Sequence, residues 1–362
     1  MKELNRLYKF QEFLKKSSCD LFLVEDSVNL YYMTGLSLSA GLLLAQQDSA
    51  FLLVDSRYYE LCKKNSPFPV LLSDKISLTS LLKSDDFSHV QTVGFDAENM
   101  TYSKFQELEN LIKELRSCAL TPFDNPLKKI RMIKEPEELE RLREAATLGA
   151  QGYDYACSLL KQGITEEQIA IELEIFWKRR GGKATAFDPI IAFGDHSAMP
   201  HYRAGSRPLQ KGMTVLIDIG VTLDHYHSDM TRVVFFGEPE PKMLEIYQIV
   251  KTIQQKAVDA CRPGLRIGEL DQLARGYIES LGYGDYFKHG LGHGIGLEVH
   301  EAPIIRNKAP YKDVTLEPGM VITIEPGIYL PGIGGVRIED TLVINQKDHE
   351  NLTNRTKELT LI

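Results

Sequence analysis

The sequence predicts a two-domain protein: an α/β domain followed by a larger domain mixing helices with strand hairpins. Three observations predict this. The chain has 362 residues, more than one ordinary core organises. Its first third alternates helical and strand-length apolar segments. Beyond Thr185 the pattern changes to mostly strands and turns, interrupted by helices.

The opening segment, MKELNRLYKFQEFLKK, is charged throughout, and Leu4, Leu7, Tyr8, Phe10 and Leu14 recur at helical spacing. It reads as an amphipathic helix and lacks the apolar core and small-residue cleavage site of a signal peptide. DLFLVED, LYYMTGL, GLLLA and AFLLVD follow, each strand-length and bounded by turn residues. Asp55 to Lys64 and Tyr102 to Arg116 read as helices, with VGFD (Val93 to Asp96) a strand between them. The α/β domain ends near Phe123, giving domains 1–124 and 125–362, with Asn125 to Pro136 as linker.

A long helix starts at Glu135-Pro136, where proline suits the first turn and Glu137 and Glu138 suit the positive helix end. In ITEEQIAIELEIFWKRRGG, Thr165 is the N-cap, Gln168 its capping-box partner and Gly181 the stop. Further helices are expected near Lys242 to Cys261 and Ile267 to Leu281.

Composition narrows the function. A net charge of −8 gives no electrostatic reason to expect a nucleic-acid or anionic-membrane partner. No apolar run approaches the roughly 20 residues that span a bilayer. Five scattered cysteines, with no C-x-x-C, fit a reducing cytoplasm rather than a disulfide framework or thiolate zinc site.

Four carboxylates carry the chemistry. MTVLIDIG (Met213 to Gly220) and HYHSDMTRVVFF (His225 to Phe236) form a hairpin. Centred near Leu223 and Asp224, it places Asp218 across from Asp229. GMVITIEPGIY (Gly319 to Tyr329) and GGVRIEDTLVI (Gly334 to Ile344) form another. Centred at Gly332, it places Glu325 across from Glu339. Each acid interrupts an apolar strand, where an unpaired ion is costly. Taken singly, each has an ordinary explanation in an arginine partner: Arg232 for Asp229, Arg337 for Glu339. Converging, the four repel one another unless cations neutralise them, and two divalent cations balance four carboxylates. Oxygen-rich ligation with one imidazole suits Mn²⁺, Co²⁺ or Fe²⁺, and two such ions about 3.5–4 Å apart make a hydrolytic clamp. Between the hairpins lies KHGLGHGIGLEVHE, with three of the nine histidines. Spacing alone leaves open which of His289, His293 and His300 is the ligand.

IDIGVTLDHYHSDMTR, HGLGHGIGLEVHE, ITIEPGIYL and VRIEDT together resemble the motifs of the dinuclear pita-bread metallopeptidases, which include methionine aminopeptidase, aminopeptidase P and prolidase. The resemblance covers Asn125 to the C-terminus. The domain before it is similar to the α/β N-terminal domain of aminopeptidase P and prolidase. It implies an α+β pita-bread catalytic domain with a pseudo-two-fold β-hairpin metal site. Asp218, Asp229, His293, Glu325 and Glu339 would be metal ligands, with Asp229 and Glu339 bridging. The ions would be two divalent metals, Mn²⁺ first, with Co²⁺, Fe²⁺ or Zn²⁺ as alternatives. Glu325 would be the general base, and a hydroxide bridging the metals the nucleophile. His300 and His201 (in SAMPHYRAG) would contact substrate and stabilise the transition state. His289 would line the proline pocket, Tyr329 would stand behind it, and Arg337 would support the bridging carboxylates and proton movement. His196, His225 and His227 receive no role, and Asp55 reads as a satisfied surface acid.

The family resemblance also implies peptide substrates with proline at the second position and a homodimer or higher homo-oligomer. Prolidases often carry HE-x-P-R after the catalytic histidine; here the stretch is HEAPIIR, so that position is Ile304, with Arg306 nearby. This departure favours an Xaa-Pro aminopeptidase, with an Xaa-Pro dipeptidase as the alternative. A non-catalytic peptide-binding module is disfavoured by the complete ligand set.

Overall fold

The opening amphipathic segment folds as α1 (Lys2–Lys16), with Leu7, Phe10 and Leu14 buried on one face. The computed structural model describes residues 2–114 and 118–362. The chain divides into two compact units, Met1–Ile130 and Arg131–Ile362. Sequence placed the junction at 124/125; the expected linker instead contains a short helix, Leu127–Arg131.

The first unit follows α1 with β1 (Leu21–Val24), α2 (Ser27–Thr34), β2 (Leu42–Gln46), β3 (Ala50–Val54), α3 (Ser56–Asn65), β4 (Val70–Leu72), α4 (Leu78–Leu82), β5 (Thr92–Asp96), α5 (Tyr102–Glu114) and β6 (Ala119–Phe123). Its six-stranded mixed sheet has the order β4-β3-β2-β1-β5-β6. LYYMTGL, expected as a strand, belongs to α2. Asp26 caps that helix by accepting from the Asn29 amide, and Gly35 closes it at φ 72°. Short apolar runs do not separate strand from buried helix, and here the flanking caps decide. Of the segment expected as helix up to Arg116, residues 115 and 116 lie outside the described residues. Asp55 caps α3 and pairs with Arg57.

The connecting helix α6 (Leu127–Arg131) leads into a second unit with two helix pairs. The first is α7 (Pro136–Leu159) and α8 (Glu166–Arg179). The capping box of Thr165 and Gln168 starts α8 as its sequence demands. Ile169, Leu173 and Trp177 share its buried face. They pack with Leu148, Tyr153 and Ala156 of α7 against a three-stranded sheet. The strands that follow are β7 (Ala184–Thr185), β8 (Ile190–Phe193), β9 (Met213–Ile219), β10 (Val221–Leu223), β11 (Tyr226–His227) and β12 (Met230–Phe236); β12-β9-β8 is the sheet in question. The second pair, α9 (Pro241–Ala260) and α10 (Ile267–Ser280), packs over a further set of strands. These are β13 (Gly292–Gly294), β14 (Glu301–Ile305), β15 (Val321–Ile324), β16 (Gly327–Leu330), β17 (Gly334–Arg337), β18 (Asp340–Ile344) and β19 (His349–Asn351). Strands β14-β13-β15-β18-β19 form one sheet and β16-β17 a ribbon. Two helix pairs over two strand layers give the pseudo-two-fold arrangement. No described helix is long and apolar enough to cross a membrane.

The two key hairpins differ in how well sequence fixed their register. In the second, Ile324 pairs with Asp340 and Gly327 with Arg337, which sets Glu325 across from Glu339 as expected. In the first, Asp218 lies across from Thr231, not Asp229. The turn is one residue later, at Asp224-His225, both at positive φ (45° and 72°), as a tight two-residue hairpin requires. The register slips by two, so side-chain alternation is kept and Asp218 and Asp229 still reach one cavity.

Candidate metal centre

The two hairpins meet at a cavity of about 390 Å³ lined by Asp218, Asp229, His293, Glu325 and Glu339 together with His201, His289, His300 and Arg337. Asp218 lies one residue before the end of β9, Asp229 precedes β12, Glu325 follows β15 and Glu339 precedes β18. Apolar neighbours on the same strands fill the core and so fix where each acid points. Asp229, His293 and Glu339 each offer a ligand atom within 4.8 Å of the others. Asp218 and Glu325 stand outside that trio but line the same cavity. Glu325 Oε1 is 3.6 Å from His293 Nε2, and Asp229 Oδ2 is 3.7 Å from it.

The glycines around His293 allow this approach. A Cβ on Gly292 would fall onto the Thr323 carbonyl, and one on Gly294 onto the Ala302 carbonyl. No larger residue fits between these strands.

The electrostatics call for cations. Burial, then the neighbouring Glu339, Asp218 and Glu325, push the Asp229 carboxyl well above its usual range. Burial and Glu339 do the same to Glu325. Burial and Asp218 raise Glu339 to about 8, against the Thr231 hydrogen bond that lowers it. Asp218 Oδ1 and Asp229 Oδ1 are buried with no hydrogen-bond partner, which is costly for oxygen acceptors. His293 sharpens the point. Its Nδ1 lies 3.0 Å from the Gly294 carbonyl, which only accepts, so Nδ1 carries the proton. Burial, then His300, lowers its pKa to about 3, so the ring is neutral. Its Nε2 lone pair therefore faces the Asp229 and Glu325 carboxyl groups at distances too long for a hydrogen bond. A divalent cation held by these residues would take up that lone pair and offset the carboxylate repulsion, and a backbone carbonyl that fixes the imidazole tautomer is typical of metal-binding histidines.

Arg337 ties the centre together. It donates to Asp218, to Thr231 Oγ1 at 3.1 Å and to the Tyr329 hydroxyl at 2.7 Å. Thr231 in turn donates to Glu339 Oε2 at 2.6 Å. Burial opposes the Arg337 charge, yet Tyr329 and the surrounding carboxylates hold its pKa well above the ordinary value. The Tyr329 hydroxyl also meets His289 Nε2 at 2.8 Å, while His289 Nδ1 donates to the Gly290 carbonyl at 2.7 Å. Burial and Arg337 lower His289 to about 3, so it is a neutral, oriented wall. His201 and His300 are exposed at the cavity, and the His300 ring lies 4.3 Å from that of His293.

Two expectations need correction. Arg232 does not pair with Asp229. It pairs with Asp340 at 2.6 Å, because alternation turns the Arg232 side chain away from the cavity. Arg337, offered as a partner for Glu339, contacts Asp218 directly and reaches Glu339 through Thr231. Sequence reasoning also missed Glu166. Fully buried at the start of α8, it accepts from the Phe193 and Gly205 amides and the Tyr202 hydroxyl, and it meets His196 Nδ1 at 2.9 Å. It clamps the loop that carries His201. A first-turn acid ordinarily reads as a helix-dipole partner, so only the loop contacts reveal it. Thr231 was legible in principle, by its place on the Asp218-facing side of the hairpin.

Comparison with known proteins places this geometry. Residues 140–346 match the model of metallopeptidase family M24, and residues 6–133 match the creatinase/prolidase N-terminal domain. The chain belongs to metallopeptidase family M24. It is 39% identical over 364 residues to the Xaa-Pro dipeptidase of Pyrococcus furiosus, covering 99% of this chain and 100% of that protein. Among solved structures it resembles an Xaa-Pro dipeptidase from Bacillus anthracis (34% identity, TM-score 0.93, 99% and 100% of the two chains). It also resembles an X-Pro aminopeptidase from Thermotoga maritima (31%, 0.85, 95% and 98%). An α/β creatinase/prolidase-type domain therefore precedes a pita-bread catalytic domain, and this M24 chain is a metal-dependent peptidase.

Proposed function

We propose that the chain is an Xaa-Pro dipeptidase, hydrolysing the bond before proline in an Xaa-Pro dipeptide. The convergence of four carboxylates and the His293 lone pair in one cavity carries the hydrolytic part of this reading. The full-length likeness to proteins named Xaa-Pro dipeptidases supports the dipeptide part.

Asp218, Asp229, His293, Glu325 and Glu339 would hold two divalent ions, Mn²⁺ being the first to try, then Co²⁺, Fe²⁺ and Zn²⁺. Such ions supply Lewis acidity and lower the pKa of water to near neutrality. The chain's own residues do the rest. Glu325 takes the proton of the attacking water and returns it to the proline nitrogen as the C–N bond breaks. His300 and His201, exposed at the cavity, donate to the carbonyl oxygen as charge develops on it. The neutral His289 ring, held by Tyr329, walls the proline. Arg337 and Thr231 keep Asp218 and Glu339 in place. The five free cysteines support a reducing, cytoplasmic setting, and a homo-oligomer is the proposed assembly, to be checked by light scattering.

A second reading, an Xaa-Pro aminopeptidase acting on longer peptides, is favoured by one observation. The lining residue at position 304 is isoleucine rather than arginine, and Arg306 is not among the lining residues. The metal-depleted protein, reconstituted with Mn²⁺ and given an Xaa-Pro dipeptide beside an Xaa-Pro-Yaa tripeptide, decides. Preference for the dipeptide upholds the proposal. Preference for the tripeptide replaces it with the aminopeptidase. No cleavage of either, with Asp229→Ala as control, sinks both.

A further inference from the structure

An enzyme for dipeptides has to recognise the free carboxylate of proline, and Ile304 offers no charge for it. We infer that Arg203 is the group that binds the substrate's carboxylate, a specificity role resting on the dipeptidase reading above.

The charges around the cavity leave one candidate. Its lining acids are Asp188, Asp218, Asp229, Glu325 and Glu339, and its arginines are Arg203 and Arg337. Arg337 is buried and committed to Asp218, Thr231 and Tyr329. Among the described lining residues, Arg203 is thus the permanent cation not bound into the metal centre.

Its setting suits a recognition group. The Arg203 side chain is 86% exposed, and its contact with Asp188 is a loose 3.7 Å with Asp188 itself 76% exposed. An exposed pair of this kind is weak and exchanges readily, so Asp188 acts as a placeholder that an incoming carboxylate displaces. The backbone beneath is fixed. Tyr202 and Gly205, on either side of Arg203, are both tethered to buried Glu166, at 2.7 and 3.2 Å. The Gly205 carbonyl accepts from the Glu167 amide at 2.9 Å. The same clamp holds His201, two residues away, so one rigid loop presents a donor for the scissile carbonyl and a guanidinium for the far end of a short substrate. Guanidinium is suited to that task, since its planar fork meets a carboxylate through two parallel hydrogen bonds.

The test uses the metal-loaded full chain with matched substrates, Ala-Pro and Ala-Pro-amide, which differ in the carboxylate alone. Wild type prefers the free acid. Arg203→Ala lowers kcat/KM on the acid about tenfold or more through KM, bringing it towards the amide value. Arg203→Lys, which keeps the charge without the fork, retains part of the preference. Asp188→Ala removes the competitor and lowers KM for the acid. Equal losses on acid and amide in Arg203→Ala, or no change on either, overturn the inference while leaving the dipeptidase reading standing. A wild type that takes the amide as readily as the acid, or cleaves tripeptides alone, fails the dipeptidase reading itself and removes any need for the clamp.

Discussion

Glu339 and Asp340 are adjacent, both buried, and solve the problem of a buried charge in opposite ways. Asp340 accepts from Arg232 at 2.6 Å, Lys357 at 2.8 Å and Gln254 at 2.9 Å. Burial pushes its carboxyl up, but Arg232 and Lys357 hold it below the usual range. Glu339 faces the other side of the strand, among Asp218, Asp229 and Glu325, and is raised to about 8. Glu301 repeats the Asp340 solution beside His300: despite burial, Lys134 and Arg131 hold it low. A structural acid and a functional one are told apart by where their counter-charges come from. A structural carboxylate brings its cations from the chain. The functional cluster shares Arg337 among several acids and leaves oxygens unmatched.

The largest effect is expected from Asp229→Asn. It should lower peptidase activity at least about a thousandfold and yet raise the thermal midpoint of the metal-free chain, since it removes one member of a mutually repelling set. A fall in both would mean Asp229 is structural. Asp340→Asn should do the reverse. It leaves Arg232 and Lys357 underpaired in the interior and should cost about 3–5 kcal/mol in denaturant unfolding. Near-wild-type stability would erase the distinction.

The pH response sharpens it further. Asp229, Glu325 and Glu339 have folded pKa values above their unfolded ones. Between about pH 4.5 and 8 the folded metal-free chain therefore holds protons that the unfolded chain releases, and its stability falls as pH rises. Glu301 and Asp340, with depressed values, add stability above their unfolded pKa and lose it only in stronger acid. Thermal melts of metal-depleted protein should thus drop from about pH 6 to pH 8, and saturating Mn²⁺ should remove the drop. The smallest effect is expected from Glu166→Gln. It weakens the clamp on the His201 loop and should reduce kcat/KM by about ten- to a hundredfold, with metal stoichiometry intact by elemental analysis.

Much of this was legible in the sequence for local reasons. The α8 capping box, the proline at the start of α7 and the second hairpin register each follow from residues within one turn or one hairpin. The carboxylates stood out because they interrupt apolar strands. Failures came where the deciding contact is distant or the local signal is two-sided. LYYMTGL is apolar enough for either element, and only Asp26 and Gly35 settle it as helix. The first hairpin was misplaced because Asp224 and His225, not Leu223, take the positive φ values. The partners of Arg232 and Glu166 lie 108 and up to 39 residues away, so no spacing rule reaches them.

The chain leaves its cavity carboxylates underpaired because divalent cations complete them. Calorimetric titration of metal-depleted protein with Mn²⁺ near pH 7, in two buffers of different ionisation enthalpy, tests it directly. The expected result is two ions per chain with release of protons from the cluster, and loss of that stoichiometry in Asp229→Ala. Absence of binding, or binding unaltered by the substitution, would contradict it.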